Sequence, residues 1–317
     1  MPTPFHAYAS YPLSVDPVAG HAELRAAPER LVAAATSSAL EVVAPLIRSS
    51  GLPAQQQPSV TARPTEDDEP GSIELTFSGD EDLTGWPALT GRLLIDTRPG
   101  DAHRLVFFSQ RSPAGELSTL RLDRQHRRRL VRIAVQRLLH ELAGELGGHP
   151  TGPVGPATNG ADITPMFLHG LRRVGASPTD VLAHLDAEPQ ALAERATEAV
   201  VERAAEVLAA GRFRAPAQPQ VHVERPAAGE HGALRIRWTG DEEATGWPVL
   251  TLSLVVEPHD AGTRLTLISP REPGYDLSVN RVDKAQRDEV LRRAGENLAD
   301  ALTAELAPSD LTEPAEA

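Results

Sequence analysis

Apolar positions along the chain follow two rhythms. One returns every three to four residues and predicts helices; the other alternates and predicts strands. In the C-terminal half, Met166 to Gly175 reads as a first strand. The following SPTD offers an N-cap serine, a proline at the first helical position and an acidic first turn, and so opens a short helix that runs to about Ala187. Pro189 starts a longer helix through about Ala210, with Leu192, Ala196, Val200, Ala204 and Val207 on one face. Alternating runs near 219–224, 233–239, 248–257 and 263–269 predict four strands, the last two joined through Asp260 and Gly262 in a hairpin. A final helix is expected from about Val282 to Leu306, with Leu291, Ala294, Leu298, Leu302 and Leu306 inward.

The N-terminal half carries the same pattern. GDEDLTGWPALT at 79–90 returns as GDEEATGWPVLT at 240–251, an offset of 161. At that offset Pro17 matches Pro178, Pro28 matches Pro189, and Thr36 matches Thr197. Ile73, Leu75 and Phe77 match Leu234, Ile236 and Trp238. After a one-residue deletion near Pro99, RSPAGELSTLRLD at 111–123 matches REPGYDLSVNRVD at 271–283. Such agreement over some 160 residues points to one unit written twice. The second helix of the first copy, PERLVAAATSSALEVVAPLI, contains Pro45, which is expected to end or kink it near Val43. The last helix of that copy is expected to bury Val131, Ala134, Leu138, Leu142 and Leu146. A Gly- and Pro-rich stretch separates the copies, giving 1–148 as a first domain, 149–162 as a linker and 163–317 as a second.

The order strand, two helices, antiparallel strands, long helix resembles the START-like superfamily, also called SRPBCC or helix-grip, which includes the polyketide cyclases. VGASPTDVLAHLDAEPQAL (174–192) looks like its opening turn and helices. GWPVLTLSLVVEPHDAGTRLTLIS (246–269) looks like its late hairpin, and VDKAQRDEVLRRAGENLADALTAEL (282–306) like its long C-terminal helix. The resemblance implies an α+β fold of two tandem helix-grip domains, each a curved antiparallel sheet packed on a long C-terminal helix. It also implies a pocket for a small apolar ligand. The candidate binding residues are Trp86, Phe107 and Leu138 in the first copy and Trp247, Leu267 and Leu298 in the second. Two departures bear on the pocket: four strands stand where members usually have six, and aromatic residues make up only 4% of the chain.

Composition narrows the function classes. The 317 residues include no cysteine, which excludes disulfides, thiolate metal sites and cysteine nucleophiles. The net charge of −13 argues against nucleic acid and anionic membrane surfaces as partners. No run of 18 apolar residues and no signal-like N-terminus is present, so a cytoplasmic protein without a membrane span is expected.

Motifs for chemistry are few. The repeated Gly-Trp-Pro at 85–87 and 246–248 reads first as a turn whose tryptophan covers a core end, and second as a stacking residue at a pocket mouth. The acidic loops at Asp80–Asp82 and Asp241–Glu243 lack the alternation of a calcium loop, and no metal or cofactor is expected. No zinc-protease, nucleophile-elbow, phosphate-loop or dinucleotide motif occurs. The segment RLDRQHRRRLVR concentrates Arg121, Arg124, Arg128 and Arg132 at a helix start. Without interleaved aromatics it does not read as a nucleic-acid site. Residues 1–156 carry net charge −3 and residues 157–317 carry −10, so an acidic partner, or the acidic second domain of the same chain, is an alternative to a plain solvated face. The expected function is therefore non-enzymatic: binding of a small apolar ligand, or an interaction platform. A polyketide aromatase/cyclase-type enzyme and a pocketless regulatory module remain open as alternatives.

Overall fold

The structure is a computed structural model. It describes residues 4–51, 55–84, 89–109, 124–147, 165–210, 217–227, 230–241, 244, 250–269, 296–297 and 299–304. It is α+β, with antiparallel strand pairing and helices packed on sheet. The chain divides into two compact units, and the division falls within the strand Pro165–Val174.

The first unit opens with β1 (Pro4–Pro12), α1 (Pro17–Ala26) and α2 (Pro28–Ser49). Asp16 caps α1 by accepting a bond from the Ala19 amide at 2.9 Å, and Pro17 and Pro28 begin the two helices where a missing N–H costs nothing. Then follow β2 (Ser59–Pro64), β3 (Ile73–Ser78), the single turn α3 (Glu81–Thr84), β4 (Leu89–Asp96), β5 (Arg104–Ser109) and α4 (Arg124–Glu145). The sheet order is β2-β3-β4-β5-β1, every pair antiparallel. Strand alternation sends Ile73, Leu75, Leu93, Ile95, Leu105 and Phe107 to one face. There they meet Leu31, Val32, Ala35 and Ala39 of α2 and Val131, Val135, Leu138, Leu139 and Leu142 of α4 in one buried cluster.

Pro45 does not end α2. The helix runs on to Ser49. Proline removes only the bond to the carbonyl of Glu41, and Val43 and Ile47, both buried, hold the last two turns against the core. The Ser49 and Ser50 hydroxyls then donate to the Leu46 carbonyl at 2.9 and 2.8 Å and close the helix end. By length and composition α2 could also cross a bilayer; its inward residues instead pack in this core.

The second unit takes the C-terminal part of β6 (Pro165–Val174), then α5 (Pro178–Ala187), α6 (Pro189–Ala210), β7 (Gln220–Glu224), β8 (Leu234–Thr239), β9 (Leu250–His259) and β10 (Gly262–Ser269), with residues 299–304 helical. Ser177 caps α5 as expected, accepting from the Asp180 amide at 3.2 Å. Strands run in the order β6-β10-β9-β8-β7. Its core gathers Val181, Leu185, Leu192, Ile236, Trp238, Leu252, Leu254, Leu265, Leu267 and Leu302. α5 and α6 lie at α1 and α2 shifted by 161, and β8 lies at β3 shifted by the same number. The linker, both Gly-Trp-Pro motifs and the start of the expected last helix lie outside the described residues.

Candidate functional site

Leu40 and Ile47 of α2 are buried, and Ala44 lies half-buried between them. These three form the floor of an open cleft of about 320 Å³. Its opposite wall is the segment Gln55–Pro58 together with Thr84, and Glu41 and Arg48 stand on the rim. Backbone bonds hold the wall in place. The amides of Gln55 and Gln56 donate to the Leu83 carbonyl at 2.9 and 3.2 Å, and those of Leu83 and Thr84 donate to the Asp80 carbonyl at 3.1 and 2.8 Å. Gly79 takes φ of 155°, and a Cβ there would sit 3.0 Å from the Thr84 methyl, so glycine allows Thr84 to turn into the wall. Among the described residues, the side chains of Glu41, Arg48 and Gln55–Gln57 make no hydrogen bond or ion pair. The cleft thus joins a short apolar floor to a rim of uncommitted polar groups.

The expected ligand residues are placed as follows. Phe107 is fully buried, edge-on to Tyr8 with ring centroids 5.6 Å apart, and fills the space above Gly91. Leu138 lies in the same cluster on α4. Leu267 is fully buried in the other core, so Phe107 and Leu138 are together and Leu267 is apart from them. Trp86, Trp247, Leu298 and Arg121 lie outside the described residues. Arg124 and Arg128 are within helix α4, but only its backbone is described there; Arg132 is half-buried.

A polar layer lies on the sheet face away from each core. In the first unit Asp96 and Arg104 face each other across β4 and β5, Arg98 donates twice to Asp96 at 2.7 and 2.9 Å, and Arg104 donates to Ser10 Oγ at 2.7 Å. Burial, then the Arg98 charge, lowers the Arg104 pKa, against the opposing pull of Asp96. In the second unit Glu257 faces Arg264 across β9 and β10, with the charges 3.6 Å apart, and accepts from Thr266 at 2.5 Å. One acid–base contact joins β1 to α4: Tyr11 OH and His140 Nδ1 are 2.7 Å apart, their rings edge-to-face. Burial raises the Tyr11 pKa and the nearby Arg137 opposes the rise, so the phenol stays protonated at neutral pH. Arg137 itself pairs with Glu141 one turn on. Among the described residues no three His, Asp or Glu side chains converge as a metal site would require.

Sequence reasoning did not single out the cleft. Its wall is built by loop backbone, which leaves no periodic trace. A usable signal was nevertheless present in the comparison of the two copies: Arg48, Gln55 and Gln56 correspond to Ala209, Pro216 and Ala217, while Glu41, Ala44 and Gln57 recur as Glu202, Ala205 and Gln218.

No protein-family model matches the chain, and no curated protein matches it. Among solved structures the chain is similar to the di-domain ARO/CYC StfQ from the steffimycin biosynthetic pathway, at 12% identity over 95% of this chain and 97% of that one, with a TM-score of 0.23. A score of that size establishes no common architecture.

Proposed function

We propose that the chain is a tandem pair of START-like helix-grip domains, 1–148 and 163–317 joined by 149–162, that works by binding a small, largely apolar molecule. The observation that carries this reading is the α2 cleft, with Leu40, Ala44 and Ile47 as floor and the Gln55–Pro58 wall opposite. The helix-grip reading is supported in the first unit by α4, whose Val131, Val135, Leu138 and Leu142 lie across the sheet. The test is a titration of the full chain with a neutral fluorescent probe, N-phenyl-1-naphthylamine. Saturable binding is expected, with at least a tenfold loss in Ala44→Trp, whose indole would occupy the cleft. A chain that binds no probe, or an Ala44→Trp variant that binds as wild type does, overturns the reading.

A second reading, catalysis of the polyketide aromatase/cyclase kind, is favoured by the Tyr11–His140 contact. A phenol held neutral beside an imidazole is an acid–base pair placed at the edge of an apolar core. Probe binding that survives Ala44→Trp and is lost in Tyr11→Phe or His140→Phe would move the site there and favour this reading.

A further inference from the structure

We infer that the α2 cleft takes an apolar molecule bearing a carboxylate, with Arg48 as the residue that selects for the charge. This deepens the cleft reading above and rests on it. The first ground is commitment. The arginines of the first unit's sheet are spent on the fold: Arg63 and Arg92 on Glu74, Arg98 on Asp96, and Arg104 on Ser10. Arg48, among the described residues, has no partner for its guanidinium, yet it lines the cleft beside three glutamines whose amides are also uncommitted. A planar five-donor group flanked by amide donors suits a carboxylate, which accepts two parallel bonds.

The second ground is the helix end. An α-helix C-terminus carries partial negative charge and would oppose an anion. Here three of the terminal carbonyls are already engaged: the Leu46 carbonyl accepts from the Ser49 and Ser50 hydroxyls, the Ile47 carbonyl from the Ser50 amide, and the Arg48 carbonyl from the Gly51 amide, and the Arg48 charge itself offsets the helix end. Glu41, the other charge on the rim, stands seven residues earlier, about 10 Å along the helix axis, which is about one Debye length at ~0.1 M salt. The cleft is therefore polarised, with its cationic end at Arg48.

The third ground is the internal repeat. The floor types recur at Val201, Ala205 and Leu208, so they belong to the common plan of the two copies. The cation and two of the amides do not recur; Ala209, Pro216 and Ala217 stand in their place. Arg48, exposed and without a partner among the described residues, is thus outside the plan common to the two copies and free to meet a molecule from solution.

The experiment compares decanoate with decanol, two probes of equal chain length that differ in the charged head, against the full-length protein by calorimetry at about 0.1 M salt. Decanoate is expected to bind about five- to tenfold more tightly, the gap closing as salt is raised. Arg48→Gln is expected to bring decanoate down to the affinity of decanol and to leave decanol unchanged. Arg48 is exposed, so circular dichroism of this variant should match wild type. Equal affinities for the two probes, both lost in Ala44→Trp, would overturn the charge selection while leaving the apolar cleft standing. A preference for decanoate that Arg48→Gln does not alter would overturn Arg48 as its source. Binding of neither probe would overturn the cleft reading itself.

Discussion

Thr36 and Thr197 are the same residue of the repeat, yet their hydroxyls have different fates. Thr197 Oγ1 donates to the Ala193 carbonyl at 2.6 Å and accepts from Trp238 Nε1 at 3.0 Å. In the first unit Phe77 stands at the tryptophan position and has no N–H to offer, and Thr36 Oγ1 is buried without a hydrogen-bond partner. The same substitution should therefore act in opposite directions. Thr36→Val removes an unsatisfied hydroxyl at equal volume and is expected to stabilise by about 0.5–1 kcal/mol, whereas Thr197→Val strands a buried indole N–H and is expected to cost about 1–2 kcal/mol. Urea denaturation of the two variants checks this; a common sign would refute it. A second pair shows compensation by volume. A Cβ on Gly91 would lie 2.1 Å from Phe107 Cζ, while the second copy has Leu252 and Leu267 at these positions, so one core uses glycine under an aromatic and the other two leucines. The repeat alignment made both pairs visible as substitutions. Which partner each side chain meets was not legible, because contact across strands depends on register, which an apolar pattern constrains only to the correct face.

At the scale of strands, the two units carry one ion network with its signs exchanged. Arg63 faces Glu74 across β2 and β3, at 2.7 Å; at the corresponding positions Glu224 faces Arg235 across β7 and β8, at 3.3 Å. Glu69 and Glu230 also correspond. The first pairs with Arg92 and the second with Arg235, and Ser253 occupies the place of Arg92. Hydrogen bonding from Arg235 holds the Glu230 carboxyl below its ordinary pKa, against the opposing effect of burial. The exchange yields a prediction for the first unit. Glu74→Arg alone sets three arginines together, two of them nearly buried, and is expected to cost about 2–3 kcal/mol. Adding Arg63→Glu and Arg92→Ser rebuilds the network of the second unit and should recover most of that loss in thermal unfolding. A triple variant no more stable than the single one would show that the two networks are not interchangeable. Helix and strand positions were largely readable beforehand because caps and periodicity are local. Pro45 does not end α2, one of the two outcomes expected of it, because the buried Val43 and Ile47 on either side hold the helix, a tertiary effect that outweighs the local penalty.

For the whole molecule, the sequence predicts one unit used twice; the structure divides into two compact units, and α5 and α6 lie at α1 and α2 shifted by 161. The site was much less legible than the plan. Phe107, Leu138 and Leu267, the described apolar candidates for a pocket, lie in the buried clusters, and burial in a core and lining of a pocket leave the same trace in a sequence. The cleft arises where α2 faces loop backbone from a distant part of the chain, a property of assembled elements rather than of any segment. The duplication makes a claim about folding that can be checked. Each described core is internally connected: in the first unit it runs without a break from the sheet through α2 to α4, and in the second from α5 and α6 through β8, β9 and β10 to Leu302. Chains of about 150 residues bury about two-thirds of their unfolded surface, enough for independent stability. Residues 1–148 and 163–317, expressed separately, are each expected to unfold cooperatively, with a denaturant slope about half that of two units melting together, since the slope scales with the surface exposed. In the full chain the two Thr-to-Val variants then serve as labels: Thr36→Val should shift only the transition of the first fragment and Thr197→Val only that of the second. If neither fragment folds, or if each substitution moves one common transition, the repeat is a duplication of sequence that folds as a single cooperative body.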